Sequence, residues 1–265
     1  VLGEAETMSG EAHSRAFLDL PGRQQELLAR LAETGTPVVL VLLTGRPLVL
    51  SGADEQIEAI LQAWHGGIRT GRAVANLLAG ETVPTGKLSV SFPRSIGQIP
   101  VYYAHKNTGR PYQGPGTTQF TDPFRSTWID QVNSPLYSFG YGLSYTAYRY
   151  DDLQVETPEL GLEDTLVVSA EVSNTGERDG EEIVQLYVRD LVGSVTRPVR
   201  ELKGFQRVRV EAGESVKVKF DLHTDQLAFF GRPLRRRTEP GEFHAWIGGS
   251  SDADLGIGFR VLGAD

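Results

Sequence analysis

The chain has 265 residues, 40% hydrophobic and 23% charged, enough for two ordinary domains with their own cores. A net charge of −8 argues against nucleic acid or an anionic membrane as main partner, and no apolar run approaches the ~18 residues of a membrane helix. The absence of cysteine excludes disulfides, cysteine–metal sites and thiol catalysis.

Val1-Leu2-Gly3-Glu4 reads as the end of a β-strand turning into a loop. An independent domain is not expected to begin with the last residues of a buried strand, so we expect a fragment whose earlier strands are missing. Gln24–Ala32 carries Leu27, Leu28, Leu31 and Ala32 on one helical face, and Gly35-Thr36-Pro37 stops it. Val38–Leu43 is a continuous apolar run between turns, as in a strand covered on both faces. Asp54–Ala59 predicts a short helix, Ala59–Trp64 a return to the sheet, and Gly71–Gly80 a helix with Ala73, Val74, Leu77 and Leu78 inward. This alternation predicts an α/β domain with a mainly parallel sheet. Such sheets hold ligands outside the carboxyl ends of their strands, which is where Glu4 falls.

Residues 96–150 lose any clear period, and Tyr102–Tyr112 is a loop by composition. From about Leu153 the period becomes 2. Thr165–Val172, Glu182–Val188, Val216–Phe220 and Phe243–Ile247 alternate between turns such as Asn174-Thr175-Gly176 and Glu239-Pro240-Gly241. About 110 residues with roughly seven strands predict an immunoglobulin-like sandwich. The expected division is an α/β sandwich domain over 1–120, a connecting segment over 121–150 and an all-β domain over 151–265.

Several stretches, taken in order, resemble one family. They are Pro37–Val41 through Gly45-Arg46-Pro47, Gly86–Arg94, Gln98–Tyr103, Tyr137–Tyr145, Arg197–Phe205 and Glu239–Phe243. The chain resembles the C-terminal part of a glycoside hydrolase family 3 β-glucosidase of the bacterial three-domain type. The resemblance implies an α/β sandwich followed by a fibronectin type III-like domain. It also implies a TIM-like barrel on a separate or missing chain, carrying the nucleophilic Asp and most sugar-binding residues. The acid/base Glu is then supplied from the sandwich domain, after a strand. Glu4 matches that position, and Glu11 is a supporting residue or the competing assignment. The implied substrate is a β-glucoside or oligosaccharide, and dimerisation is implied as well. One departure is visible: Gly67-Ile68-Arg69-Thr70-Gly71 stands where members often read Gly-x-Glu-Gly-Gly.

A retaining glycosidase needs two carboxyl groups about 5–5.5 Å apart, one nucleophilic and one with a raised pKa to protonate the leaving oxygen. Spacing alone does not separate Glu4, Glu6 and Glu11 from solvated loop acids. Tyr103, His105, Asn107 and Arg110 mix rings and polar groups and are candidates for the leaving-group side of a sugar site; a packed inter-domain loop is the alternative. His13, His65 and His105 fit no zinc spacing. Gly80–Lys87 is one residue too long for a phosphate loop and is followed by Leu88, so neither metal nor cofactor is expected. Trp64 and Trp246 are expected in the core, and Arg235-Arg236-Arg237 on a solvated hairpin. The competing function is a non-catalytic structural or carbohydrate-binding module.

Overall fold

A computed structural model describes residues 1–111, 124–232 and 234–263; Tyr112 and the expected boundary at 120/121 lie outside them. The N-terminal unit has three parallel strands, β1 (Leu2–Gly3), β2 (Val39–Leu43) and β3 (Ala59–Gln62), in the order β1-β2-β3. Leu2 pairs with Leu42, and Val39 through Leu42 pair with Ala59 through Gln62. Leu40, Val41 and Leu42 are buried on both faces of the central strand, whereas Val39 at its start is exposed.

Helix α1 (Gln24–Ala32) forms over the predicted residues and gives way to Gly35 and Pro37. Its buried residue is Leu28, while Leu27 and Leu31 of the predicted face are exposed. Helix α2 is Ser51–Asp54, upstream of the predicted 54–59, because Leu50 and Ala53 are the residues that seat it in the core. Helix α3 (Thr70–Leu78) half-buries Val74 and Leu77 and leaves Ala73 and Leu78 exposed. Strand β3 stops at Gln62, short of the predicted Trp64, whose φ of +50° cannot continue a strand. The Trp64 ring packs instead on Phe92 at 5.9 Å. The core joins Leu20, Leu28, Leu40, Leu42, Leu48 and Leu50 with Phe92, each such side chain stabilising by about 1.5–3 kcal/mol when fully buried. Part of the expected connector closes this unit: Leu136 through Tyr141 run antiparallel to Leu88–Phe92, with Phe92 N–H donating to the Tyr137 carbonyl at 2.8 Å.

The second unit is a β-sandwich. One sheet orders β5 (Glu159–Leu160), β13 (Gly256–Val261), β12 (Gly241–Gly248), β7 (Gly180–Asp190) and β8 (Glu201–Val210). The other orders β4 (Tyr148–Val155), β6 (Thr165–Asn174) and β9 (Ser215–His223). Alternation decides the faces. Leu166, Val168, Ala170 and Val172 of β6 meet Val184, Leu186 and Val188 of β7 and Phe243, Ala245 and Ile247 of β12 in one core. Trp246 falls between these positions, on the outer face. It is not core but half-buried under the Arg200 guanidinium, 4.3 Å from its ring. Strands β10 (Phe229–Phe230) and β11 (Arg236–Arg237) form a hairpin that buries Phe229 and leaves the arginines on the expected solvated face, with Arg236 paired to Asp225 and Arg237 to Glu239.

Strand β7 is buried on both faces. Its outward Gln185 and Tyr187 pack against the first unit. Gln185 Nε2 donates to the carbonyls of Gly140 (3.2 Å) and Gly249 (2.6 Å), and Tyr187 packs edge-on to Tyr103 at 5.7 Å. Gly140 has φ +80°, and a Cβ there would lie 2.2 Å from Gln185 Oε1, so the close approach requires glycine.

Candidate active site

The carboxyl ends of the three parallel strands release three loops to one edge: Glu4 after β1, Thr44-Gly45-Arg46 after β2, and Trp64-His65 after β3. Gly3 turns the chain toward that edge. Its φ is +150°, and a Cβ would fall 2.0 Å from the Leu43 carbonyl oxygen. The Gln24 side chain, at the start of α1, closes the outer side of the strand end. Its Oε1 accepts from Gly3 N–H at 2.7 Å and its Nε2 donates to the Gly3 carbonyl at 2.8 Å.

The Glu4 side chain has no solvent exposure. Arg15 Nη1 donates to its Oε1 at 2.8 Å, and Gly45 N–H to its Oε2 at 3.1 Å. Arg46 Nε lies 3.0 Å from Oε1 and 3.2 Å from Oε2. Burial works to raise the Glu4 pKa. The hydrogen bonds from Arg15 and Gly45 and the charges of both arginines outweigh it and hold the carboxyl below its ordinary range.

Arg46 also donates from Nη2 to the Met8 carbonyl and, at 3.0 Å, to the His13 carbonyl. Arg15 Nη2 reaches the Asp19 carbonyl at 2.9 Å. One buried ion-pair cluster therefore folds the loop of residues 4–19 onto the sheet edge. Ser9 Oγ lies 3.4 Å from His65 Nε2, over Gly45.

Glu11 sits at the tip of this loop, between Gly10 (φ +109°) and Ala12 (φ +63°). It is exposed, and its carboxylate makes no hydrogen bond or ion pair among the described residues. A non-glycine residue held in the left-handed region costs about 1–3 kcal/mol and persists only where its surroundings impose it. Here the Arg46 bonds to the carbonyls of Met8 and His13 flank the tip.

Tyr103, His105, Asn107 and Arg110 are placed elsewhere. Tyr103 stacks on Phe139 at 4.5 Å, and its hydroxyl accepts from Leu202 N–H at 3.3 Å. The His105 carbonyl accepts from Val199 N–H at 2.9 Å, and Arg110 lies over the Phe124 ring at 5.4 Å. Tyr103, His105 and Asn107 line a cleft of about 740 Å³ between the two units, which has no lining residue in common with the Glu4 cluster. Sequence reasoning missed Arg15, Arg46 and Gln24. For Arg46 a signal existed: a charged residue directly after a parallel strand, where such sheets build their sites. For Gln24, 21 residues from its partner, there was none.

Comparison with known proteins agrees with this architecture. Residues 1–145 match the glycosyl hydrolase family 3 C-terminal domain, and residues 182–251 the fibronectin type III-like domain. The chain is 43% identical over 248 residues to a periplasmic beta-glucosidase of Salmonella typhimurium, covering 94% of this chain and 32% of that protein. It is 42% identical over 257 residues to a beta-xylosidase of Formosa agariphila, covering 96% of this chain and 34% of that protein. The crystal structure of a beta-glucosidase from Listeria innocua in complex with glucose superposes with a TM-score of 0.92 at 37% identity, covering 98% of this chain and 35% of that one. The chain thus spans about a third of the length of these relatives. With the parallel sheet, the sandwich and the order of the two units all in agreement, the chain belongs to glycosyl hydrolase family 3, as its C-terminal domain followed by a fibronectin type III-like domain.

Proposed function

We propose that this chain is the C-terminal part of a retaining β-glucosidase acting on terminal β-D-glucosyl residues. It supplies the general acid/base carboxylate to a barrel domain that carries the Asp nucleophile. The names of the relatives support the reaction class, and the carboxylate-bearing edge of the parallel sheet supports the location.

Both Glu4 and Glu11 stand at that edge, and the state of Glu4 favours Glu11 as the acid. A general acid must hold its proton near neutral pH, which needs a raised pKa. Glu4 is held ionised by two arginines and one backbone N–H, with no solvent-exposed surface from which to reach a glycosidic oxygen. Glu11 is on the same loop, exposed and without a competing partner among the described residues. In this reading Glu4 is the anchor that positions the loop. The chain is inactive alone, since retention needs both carboxylates.

The test uses the enzyme complete with its barrel. Glu11→Gly should slow hydrolysis of disaccharides by about 10²–10⁴-fold, as expected for losing a general acid. Dinitrophenyl glucoside, whose leaving group needs no proton, should suffer much less, and azide should restore turnover as a β-glucosyl azide. Glu4→Gln should lower all substrates alike. Azide rescue of a Glu4→Gly variant, with none for Glu11→Gly, would return the acid/base role to Glu4.

A further inference from the structure

The cleft between the two units has a wall that is built rather than incidental. Gln98 is buried, and its amide is fully used. Oε1 accepts from Arg94 N–H at 2.7 Å, and Nε2 donates to the carbonyls of Val132 (2.8 Å) and Ser134 (3.2 Å). Asn133, fixed between those two carbonyls, accepts from Trp128 N–H at 3.2 Å and donates to Thr127 Oγ1 at 3.3 Å. These bonds fix the Trp128 backbone; the residue is 44% exposed, and Tyr102 is 54% exposed in the same cleft. The opposite side is tied to the sandwich by Val199 N–H to the His105 carbonyl, and within the sandwich Arg200 donates to the Ser251 carbonyl.

Two exposed aromatic residues lining one cleft offer ring surface that a ligand can cover. The polar groups facing the cleft identify its chemistry. The Lys106 ammonium and the Asn107 amide make no hydrogen bond or ion pair among the described residues, and exposed Asp252 receives only the Ser138 hydroxyl. Opposite charges, a free amide and two ring faces suit a ligand that is uncharged, rich in hydroxyls, and has apolar C–H faces. We infer that this cleft is a binding site for a neutral oligosaccharide, stacked on Trp128 and Tyr102 and hydrogen-bonded by Asn107, Lys106 and Asp252. A pre-formed wall of this kind lowers the ordering cost of binding. The inference concerns recognition only and does not depend on which glutamate acts as acid.

Isothermal titration of the intact chain with cellotriose tests it, with amide chemical shifts as the map. The expected Kd is on the order of 1 mM. Trp128→Ala should weaken it about tenfold, a loss of the size aromatic contacts carry, and Trp128→Phe should restore most of it. Shift changes should cluster at Tyr102, Asn107 and Trp128, and Glu11→Gln should bind as the parent does. Absence of heat at about 50 mM sugar, fiftyfold above that Kd, would overturn the inference. So would binding that Trp128→Ala leaves intact, or shifts confined to residues 4–19. A failed azide rescue would count against the proposed reaction and leave this result untouched.

Discussion

Lys87 of the α/β unit and Glu182 of β7 form an ion pair across the domain boundary, with Nζ 2.9 Å from Oε1 and the side chains 13% and 3% exposed. Lys87 also donates to the Gly142 carbonyl at 2.8 Å, and Tyr150 donates to the same Glu182 oxygen at 2.7 Å. Burial, with the Glu182 charge beside it, pushes the Tyr150 hydroxyl far above its ordinary pKa, so at neutral pH it keeps the proton it donates to Glu182. Such a pair specifies how the units dock more than it stabilises them, because desolvation offsets most of the attraction.

Removing one partner is a different matter. Lys87→Met should strand a buried carboxylate and cost about 3 kcal/mol or more. Adding Glu182→Gln, which needs no cation and still accepts from Tyr150, should recover much of the loss. Denaturant unfolding followed by tryptophan fluorescence and by circular dichroism should give coincident transitions, since the units share this junction. Separate transitions in the parent would contradict it.

Glu4 makes stability depend on pH in a defined direction. Its pKa is lowered on folding from about 4.5, so its contribution is complete above that value and is lost as pH falls through the folded pKa. Glu4→Gln should therefore destabilise the chain at pH 7, by about 2–3 kcal/mol given that both arginines retain some access to water. The difference in Tm between parent and variant should shrink as pH drops below 4.5. A difference that grows at acid pH would rule this out.

Arg46→Lys keeps the charge and loses the fork that reaches the Met8 and His13 carbonyls. Amide exchange over residues 8–15 should accelerate about tenfold or more, the equivalent of one charged hydrogen bond of about 1.5 kcal/mol. Helix α1 and strand β6 should be unaffected. Exchange that rises uniformly would instead indicate global destabilisation.

Two glycines at the sheet edge should respond differently to alanine. At Gly3 the new Cβ would meet the Leu43 backbone 2.0 Å away, and backbone cannot yield without breaking the β1–β2 pairing. At Gly45 it would meet the Ser9 hydroxyl at 2.0 Å and His65 Nε2 at 2.8 Å, both side-chain atoms. Gly3→Ala should cost several kcal/mol, about 3 or more, and Gly45→Ala less. Ser9→Gly should rescue Gly45→Ala in thermal unfolding and leave Gly3→Ala unchanged.

The sequence carried the architecture well, for reasons visible in individual residues. Helix α1 was legible because Gly35 and Pro37 stop it, and β9 and β12 because they alternate apolar and polar residues, while β6 and β7 read as strands through their β-branched and apolar runs between turns. The end of β3 was not, because the φ of Trp64 is imposed by its packing on Phe92. The pairing of Leu136–Tyr141 with Leu88–Phe92 was hidden by a separation of more than forty residues and the absence of strand alternation. At the site, both glutamates were legible as candidates. What distinguishes them is the pair of arginines on Glu4, brought from 11 and 42 residues away, a fact of the fold that no local pattern contains.

Strand β7 answers to two masters. Its Val184, Leu186 and Val188 fill the sandwich core, while Gln185 and Tyr187 between them seat the α/β unit. A slip of one residue would exchange these sets, since side chains alternate with period 2. It would empty the core and unseat the neighbouring unit in the same step. One register of β7 therefore satisfies both the sandwich core and the contact with the first unit.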